Sequence, residues 1–494
     1  MAKKYLLGID QSTQGTKALL FDDNGELVCR SDLSHEQIVN EIGWVEHNAT
    51  EIYENCIQVV KNLIKKSKID KNNMIGIGIS NQRETALVWD KKTGKPIYNA
   101  IVWQCARGET ICNQIAQDGY ASMIKESTGM QLSPYFSAAK IAWVLQNVEG
   151  AKEKSEKGEL CCGTMDSWLI YKLTGGKEFK TDYSNASRTQ MFNITKLQWD
   201  QQVCDVFGIN TKCLPEVTDS NAEYGITDFD GFLEKSIPIH AVLGDSHGAL
   251  FGQGCQKKGM IKATYGTGSS IMMNIGEKPV FSQEGVVTSL AWGMDGKVNY
   301  VLEGNINYTG AVISWIEKDL KVINSAKETE KLAKLANPID KTYLVPAFSG
   351  LGAPYWDSKA TGILCGITRT TGQAELVRAA LDCIAYQITD IVQVMSDTSL
   401  IKIEEIRVDG GPTSNHYLMQ FQCDMLEIPV QVPQAEELSG IGAAYMAGIA
   451  LGIYNKNNLF DKMKRTKFEP AMSKILREEK YAGWKDAVRM VLKK

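Results

Sequence analysis

Residues 8–22 read GIDQSTQGTKALLFD, and residues 262–274 read KATYGTGSSIMMN. In both stretches an apolar strand enters a short turn rich in glycine, serine and threonine, and a second apolar strand follows. The two stretches start about one domain length apart in a chain of 494 residues. This weak internal repeat predicts two similar domains, at residues 1–252 and 253–494, with a ligand cleft between them.

Segments with a period of two alternate along the chain with segments of helical period. Glu51–Lys66 carries apolar residues on one face and lysines on the other, and Ala374–Met395 continues the same period over a longer run. The predicted strands are Tyr5–Ile9, Leu19–Phe21, Ile75–Ser80 and Ala86–Trp89. This alternation indicates an α/β fold.

The composition is ordinary for a soluble globular protein. The net charge of −4 gives no electrostatic reason to expect nucleic acid or an anionic membrane as the main partner. The N-terminal apolar piece is short and Asp10 interrupts it, and no run of 18 apolar residues follows, so neither a signal peptide nor a membrane span is expected. The 12 cysteines are scattered, which predicts free thiols in a cytoplasmic protein.

Both polar turns have the composition of phosphate-binding turns. Tight Gly/Ser/Thr turns direct backbone N–H groups and hydroxyls at phosphate oxygens, and two such turns can hold a polyphosphate from both sides. Asp10, at the end of the first strand, can orient the hydration shell of Mg²⁺, which takes few carboxylates. The alternative is that both are plain β-turns and that Asp10 caps the first of them. The chain lacks a GxxxxGK[ST] loop, so a P-loop enzyme is not supported.

Two further segments place polar groups at strand ends. The polar segment Asn81-Gln82-Arg83-Glu84 directly follows the strand that ends at Ser80. Arg83 and Glu84 together can bind a diol, although a surface turn with a salt bridge is the alternative. Asp245 follows the apolar run 241–243 among small residues, where it can take a proton from a substrate hydroxyl. His247, a lone histidine, is expected to be a hydrogen-bonded neighbour of that acid.

The segment Arg407–Asn415 reads as a strand, a glycine turn and the start of a helix through Asp424. Two adjacent glycines let a flat ring lie against the backbone, whereas a simple strand-to-helix turn with a serine or asparagine cap remains the alternative. Trp103 and Tyr135 can wall a pocket, although aromatic residues in such segments more often belong to a core.

Taken together, these segments resemble the FGGY carbohydrate kinase family, and within it the glycerol kinases. The resemblance runs over almost the whole chain and is weak only in about the last 30 residues. Its strongest pieces are GIDQST, GWVEH, SNQRET, KTGKPIYNAIVWQC, PYFSAAKIAWVL, GDSHGALFGQG, TYGTGS, GLGAPYWD, VRAALDCIAYQ and DGGPTSNHYLMQFQ.

The resemblance implies a fold, a reaction and a set of roles. The fold is two ribonuclease-H-like domains, shared with actin and hexokinase, that flank a central cleft. The reaction is transfer of a phosphoryl group from ATP·Mg²⁺ to a primary hydroxyl of glycerol or a related polyol, with Asp245 as base and Asp10 near the metal. The substrate-binding residues implied are Arg83, Glu84, Trp103, Tyr135, Asp245, Ser246 and Ser270. The nucleotide-binding residues implied are Thr13, Gln14, Lys17, Gly266, Thr267, Gly310, Ser314, Gly411 and Asn415. Relatives of this kind form dimers or tetramers, so a homo-oligomer is expected.

Several positions depart from the glycerol kinase pattern. Ser270 stands where a phenylalanine is usual, and Ser246 and His247 stand where glutamines are usual. Lys17 and Gln14 replace an arginine and a threonine at the first turn. Loss of a ring frees volume, which predicts a substrate larger than glycerol, such as a tetritol or a ketose; retention of glycerol is the alternative. An actin-like ATPase or a non-catalytic sugar sensor is disfavoured, because neither needs a diol-reading turn beside an acid.

Overall fold

Two mixed β-sheets with one shared strand pattern form the centre of the structure, a computed structural model that describes residues 3–282 and 285–492. The strands before residue 253 are β1 (Tyr5–Gln11), β2 (Gly15–Phe21), β3 (Leu27–Ser34), β4 (Ile38–Val39), β5 (Val45–His47), β6 (Met74–Asn81), β7 (Ala86–Asp90), β8 (Ala100–Ile101), β9 (Leu160–Thr164), β10 (Lys180–Asp182), β11 (Phe192–Asn193), β12 (Gln198–Trp199), β13 (Glu216–Thr218), β14 (Ile226–Thr227) and β15 (Ile237–Gly244). The helices of this half are α1 (Ala49–Ser67), α2 (Glu109–Gln117), α3 (Ala121–Thr128), α4 (Ser137–Asn147), α5 (Ala151–Glu156), α6 (Met165–Leu173), α7 (Tyr183–Ser187), α8 (Gln201–Phe207) and α9 (Asp245–Gly252).

The second half repeats this plan with fewer insertions. Its strands are β16 (Ile261–Tyr265), β17 (Ser269–Gly276), β18 (Val287–Met294), β19 (Lys297–Ile306), β20 (Tyr343–Val345), β21 (Ile363–Cys365), β22 (Ile406–Asp409), β23 (Val430–Pro433) and β24 (Arg465–Phe468). Its helices are α10 (Gly310–Lys318), α11 (Thr329–Leu335), α12 (Gln373–Ser399), α13 (His416–Leu426), α14 (Leu438–Ala450) and α15 (Lys474–Val491).

The two large sheets share one arrangement of parallel and antiparallel strands, and the second sheet has one additional strand, β18. The first has the order β14-β15-β6-β1-β2-β3, and the second has the order β18-β19-β17-β16-β22-β23-β24. In each, an antiparallel hairpin (β1–β2 or β16–β17) lies beside a parallel strand, β6 or β22. The predicted α/β class and the predicted repeat are therefore confirmed.

The predicted strands and helices are confirmed as well. The four strands predicted in the first half correspond to β1, β2, β6 and β7, and the two predicted helices correspond to α1 and α12. The helix expected through Asp424 is α13, which extends two residues further. Among the described residues no helix is long and apolar enough to cross a membrane.

Helices α9 and α14 cross in direct backbone contact between the two sheets. A Cβ atom at Gly442 would lie 1.9 Å from the carbonyl oxygen of Gly248, and one at Gly252 would lie 2.2 Å from that of Leu438. Only glycine permits so close an approach. Because α14 also packs on β1, β6 and β15, the N-terminus of α9 is held in a fixed position at the ends of these strands.

The hydrophobic cores do not follow the chain order strictly. Ala186, Phe192 and Ile194, from α7 and the segment after it, belong to the core of the second sheet. Helix α14, late in the chain, lies against the first sheet. The domain limits at 252 and 253 stay a prediction, since packing joins the two halves at both of these places.

Candidate active site

A cavity of about 650 Å³ lies where the polar turns of the two sheets face each other. We call it the cleft cavity. Ten of the residues singled out in the sequence line it, from six separate segments: Thr13, Arg83, Glu84, Trp103, Tyr135, Asp245, Ser246, Gly266, Thr267 and Ser270. The tertiary structure thus brings together residues up to about half the chain apart, and one site results.

Asp245 is the first residue of α9, directly after β15. Its side chain is one-third exposed (33%), and Oδ1 lies 3.2 Å from Nε of Arg83. The backbone N–H of Ser246 donates to the same oxygen over 2.6 Å. Both contacts use Oδ1, so Oδ2 is available to a substrate hydroxyl in the cleft cavity.

Asp10 is the next-to-last residue of β1 and is buried beside the first polar turn. Its Oδ1 has no hydrogen-bonding partner among the described residues. Burial is the main cause that raises the pKa of Asp10 to about 6; the Lys17 charge lowers this pKa and the Asp245 charge raises it. A buried carboxylate with an unpaired Oδ1 near a second acid fits a hydrated divalent cation, and Mg²⁺ needs no more than one or two protein carboxylates. The described residues contain no cluster of three or more metal-ligating side chains.

Arg83 and Glu84 are buried in the turn between β6 and β7, not at the surface. Arg83 donates both Nη groups to Glu303 of β19, over 2.8 and 3.0 Å. Arg188, after α7, donates Nε to Glu84 over 2.5 Å, and its Nη1 lies 3.2 Å from Glu303. The result is a buried group of two arginines and two glutamates, which we call the charge quartet.

The charge quartet fixes the side chains of Arg83 and Glu84 before any substrate arrives. Burial alone would raise the pKa of Glu303, but the charges of Arg188 and Arg83 outweigh burial and hold this pKa far below its usual range. Sequence reasoning missed both Glu303 and Arg188. The available signal was a glutamate inside the otherwise apolar stretch Val301–Gly304.

The two aromatic residues predicted to wall the site lie together. The Trp103 and Tyr135 ring centroids are 5.6 Å apart, and Trp103 Nε1 donates to Thr13 Oγ1 over 3.0 Å. The indole therefore contacts both the substrate wall and the first polar turn. Lys140, fully buried in α4, donates to the carbonyl oxygens of residues 134, 135 and 136 and so fixes the backbone of Tyr135.

The predicted nucleotide residues are distributed over three places. Thr13, Gly266 and Thr267 line the cleft cavity, whereas Gln14 is exposed at the tip of the first turn. Lys17 donates to Glu437 over 2.7 Å. The described structure therefore holds the Lys17 ammonium group in an ion pair.

A second cavity of about 370 Å³ is lined by the remaining four predicted nucleotide-binding residues, Gly310, Ser314, Gly411 and Asn415. Apolar side chains at Ile313, Leu381 and Leu418 line it as well, which suits a flat ring. The amide of Asn415 caps α13 and donates to Thr329 Oγ1 over 3.0 Å. Both functions expected at this turn, the helix cap and the cavity wall, occur together.

Two residues at positions that depart from the glycerol kinase pattern have unpaired polar atoms. Ser270 Oγ is buried and has no hydrogen-bonding partner among the described residues, although Ser270 lines the cleft cavity. His247 is fully buried, and neither ring nitrogen has a partner in the described part of the chain, so the expectation of a hydrogen-bonded histidine is wrong. Burial, followed by the Arg83 charge, holds the pKa of His247 well below its usual value, so the ring is neutral.

Family models for the N-terminal and C-terminal domains of the FGGY family of carbohydrate kinases match residues 5–252 and 261–451. Curated relatives are similar over nearly the whole chain. The glycerol kinase of Caldanaerobacter subterraneus subsp. tengcongensis is 47% identical over 492 residues, which cover 99% of each chain. Glycerol kinase 2 of Thermotoga maritima is 48% identical over 487 residues, which cover 98% of each chain.

Solved structures agree with these matches. The crystal structure of Plasmodium falciparum glycerol kinase with ADP has a TM-score of 0.94 and 35% sequence identity, and the match covers 100% of this chain and 99% of that one. Gluconate kinase from Lactobacillus acidophilus has a TM-score of 0.88 at 20% identity, with 99% and 97% of the two chains covered, a likeness of fold alone. The two-domain fold implied by the sequence resemblance is confirmed. The matched domains span most of the chain, so it belongs to the FGGY family of carbohydrate kinases.

Proposed function

We propose that this chain transfers the γ-phosphoryl group of ATP to a primary hydroxyl of glycerol. The observation that carries the proposal is the position of Asp245, which lies beside Arg83 and lines the same cavity as the Gly266–Ser270 turn. An acid in that position reaches the hydroxyl and the phosphoryl group at once. The names of the relatives, which are glycerol kinases near half identity, support glycerol as the acceptor.

Each group of residues has a part in the proposed reaction. Arg83 and Glu84, held by the charge quartet, orient two hydroxyls of the acceptor. Asp245 accepts the proton of the attacking hydroxyl. At the same time the oxygen of that hydroxyl forms a bond to the γ-phosphorus, and the bond from this phosphorus to the bridging oxygen of ADP breaks. The phosphates of ATP extend along the two polar turns, and its adenine ring enters the second cavity.

Mg²⁺ is the cation we propose at Asp10. Its unpaired buried Oδ1 supports this assignment, together with the nearby charge of Asp245. Bound there, the ion would neutralise phosphate charge and orient the polyphosphate. Asp10 itself holds the ion's hydration shell and requires an ionised carboxylate to do so.

A larger acceptor is the second candidate, because Ser270 offers an unpaired hydroxyl in the cleft cavity. A tetritol or a ketose carries an additional hydroxyl that can pair with it. A bulky ring in place of this serine would fill the same space, so Ser270→Phe should reduce turnover of the longer acceptor more than that of glycerol.

A coupled assay of ADP release over C3–C6 polyols and ketoses tests the function directly. Preference for glycerol supports the first candidate, and preference for a longer acceptor supports the second. Asp245→Asn should abolish turnover while acceptor binding remains. Absence of any acceptor-dependent ATP turnover by the wild-type chain would refute the proposed function.

Location and assembly also remain proposals. All 12 cysteines are free thiols and ten of them are buried, which supports a reducing compartment such as the cytoplasm. A homodimer or homotetramer follows from the resemblance, and light scattering of the purified chain measures it.

A further inference from the structure

Lys262 lies in β16, four residues before Gly266 of the second polar turn. The residue is 1% exposed, yet it lines the cleft cavity together with Asp245 and Thr267. No role follows for Lys262 from the motifs of the sequence. Its position places a cation on the wall of the cavity that the proposed base and the second polar turn also line.

The backbone of Lys262 pairs with β17 and β22, but no hydrogen bond or ion pair joins its ammonium group to another residue in the described part of the chain. The other lysines near the site are all engaged. Lys17 pairs with Glu437 over 2.7 Å, and Lys140 donates to three carbonyl oxygens. Asp409, on the neighbouring strand β22, accepts instead from Gln253 Nε2 over 3.0 Å.

An unpaired buried ammonium group destabilises the folded chain, because desolvation is not offset by a partner. Burial is the main cause that lowers the pKa of Lys262; the charges of Asp409, Glu303 and Asp245 oppose that shift. Such an arrangement is typical of a functional site, where the missing partner is a ligand. A ligand that supplies several anionic oxygens at this position is a phosphate chain.

We propose that Lys262 is a catalytic residue whose ammonium group binds the oxygens of the γ-phosphoryl group during its transfer. The inference rests on the proposed kinase function. Lys17 occupies the place of a phosphate-binding cation in the sequence, but its ion pair with Glu437 leaves Lys262 as the unengaged cation of the cleft cavity among the described residues.

Lys262 takes no part in the proton balance. The acceptor oxygen forms a bond to phosphorus, the bond to the ADP oxygen breaks, and the acceptor proton passes to Asp245. The ammonium group stays protonated and stabilises the negative charge on the three oxygens of the transferring group. A point charge that is already desolvated and aimed at this group needs no reorganisation as the reaction proceeds.

The test is Lys262→Met, compared with the wild type in kinetics, binding and stability. We expect kcat to fall by about a hundredfold or more, the usual effect of removing one stabilising group at a transition state. The acceptor KM should change little. The increase in thermal midpoint on adding ADP should remain, and the additional increase with a non-hydrolysable ATP analogue should disappear. Lys262→Arg should restore part of kcat.

Stability distinguishes this role from a structural one. Without ligand, Lys262→Met should raise the thermal midpoint, because it removes an unpaired buried charge. Lys140→Met is the matched control: it removes an equally buried lysine that has three hydrogen bonds, and it should lower the midpoint. If methionine at position 262 prevents folding, Lys262→Gln allows the same kinetic comparison.

A kcat within about threefold of the wild type would overturn the proposal. So would equal loss of the ADP effect and of the ATP-analogue effect, which would indicate general damage to the nucleotide site. The binding measurements need no acceptor. They therefore report on Lys262 even if glycerol is not the acceptor, and the assay then uses whichever acceptor the wild type does phosphorylate.

Discussion

Replacing Asp10 by asparagine should stabilise the ligand-free chain and abolish phosphoryl transfer. The residue is buried, Oδ1 is unpaired in the described structure, and burial is the main reason that its pKa rises from 3.8 to about 6. Two pKa units correspond to about 3 kcal/mol, since one unit is about 1.4 kcal/mol. At neutral pH the folded chain carries this unfavourable free energy, and the amide, which is similar in shape, does not.

The sign of the effect depends on pH. Below 3.8 the carboxyl is protonated in both the folded and the unfolded chain, so the substitution should change little. Between pH 3.8 and about 6 the folded chain binds more protons than the unfolded one, and the stability contributed by neutral Asp10 is lost as the pH rises. Above about pH 6 the full difference is present. The gain in folding stability of the Asp10→Asn variant over the wild type should therefore be largest at pH 7–8.

Thermal unfolding followed at pH 4 and at pH 8 measures the difference. For a unit of about 250 residues, 3 kcal/mol corresponds to an increase in the midpoint of roughly 6–12 °C. Mg²⁺ with an ATP analogue should stabilise the wild type and have little effect on the Asp10→Asn variant. A midpoint at pH 8 equal to or below that of the wild type would refute the reasoning.

Asp166→Asn is the matched control. Burial also raises the pKa of Asp166, to about 7, but both of its oxygens accept hydrogen bonds from threonine hydroxyls, and the residue lines none of the cavities described above. The same chemical change should alter stability there and leave kcat within about twofold of the wild type.

Three further substitutions test the supports of the site. Glu303→Gln removes the shared anion of the charge quartet; the acceptor KM should rise by at least about tenfold and stability should fall by about 3–5 kcal/mol. Lys140→Met leaves three buried carbonyl groups without a donor; stability should fall by at least about 1–3 kcal/mol and the acceptor KM should rise. Gly410→Ala should weaken ADP binding, because φ is +100° and a Cβ would lie 2.0 Å from the carbonyl oxygen of Tyr265. Steady-state kinetics, thermal unfolding and calorimetric titration of ADP measure these effects.

Two of these substitutions have a stated outcome that would contradict the reasoning. Asp340→Asn breaks a buried pair with Arg378 outside the cavities described above, and it should reduce stability without changing the acceptor KM. An equal rise of KM in Asp340→Asn and Glu303→Gln would contradict a positioning role for the charge quartet. Unchanged ADP affinity in Gly410→Ala would show that the turn does not contact the nucleotide.

Local pattern was enough to predict the regular elements. Alternation at period two identified β1, β2, β6 and β7, and helical spacing identified α1 and α12, because these signals depend only on neighbours in the chain. The similar turns at Gly8–Asp22 and Lys262–Asn274 predicted the repeat, which the matching sheets confirm. Ordered motifs along the whole length predicted the family.

Local sequence patterns predicted only part of the candidate site. Strand-end residues such as Asp245 and Arg83 stood out, because polar groups after apolar runs are easy to recognise. Glu303 and Arg188 did not, since their partners lie 220 and 104 residues away along the chain. Nothing local distinguishes the paired lysines at 17 and 140 from the unpaired one at 262.

The amino-acid sequence by itself determined the fold class, the repeat and the kinase family, because each is written in short-range patterns or in motif order. The tertiary structure decided which charges are paired. Whether Asp10 or Lys262 has a partner, and whether Arg83 is held by a distant glutamate, depends on groups brought together only when α9, α14 and β19 pack at the cleft. Charge pairing in a low-dielectric interior depends on distances of a few ångströms, and only the folded chain sets these distances.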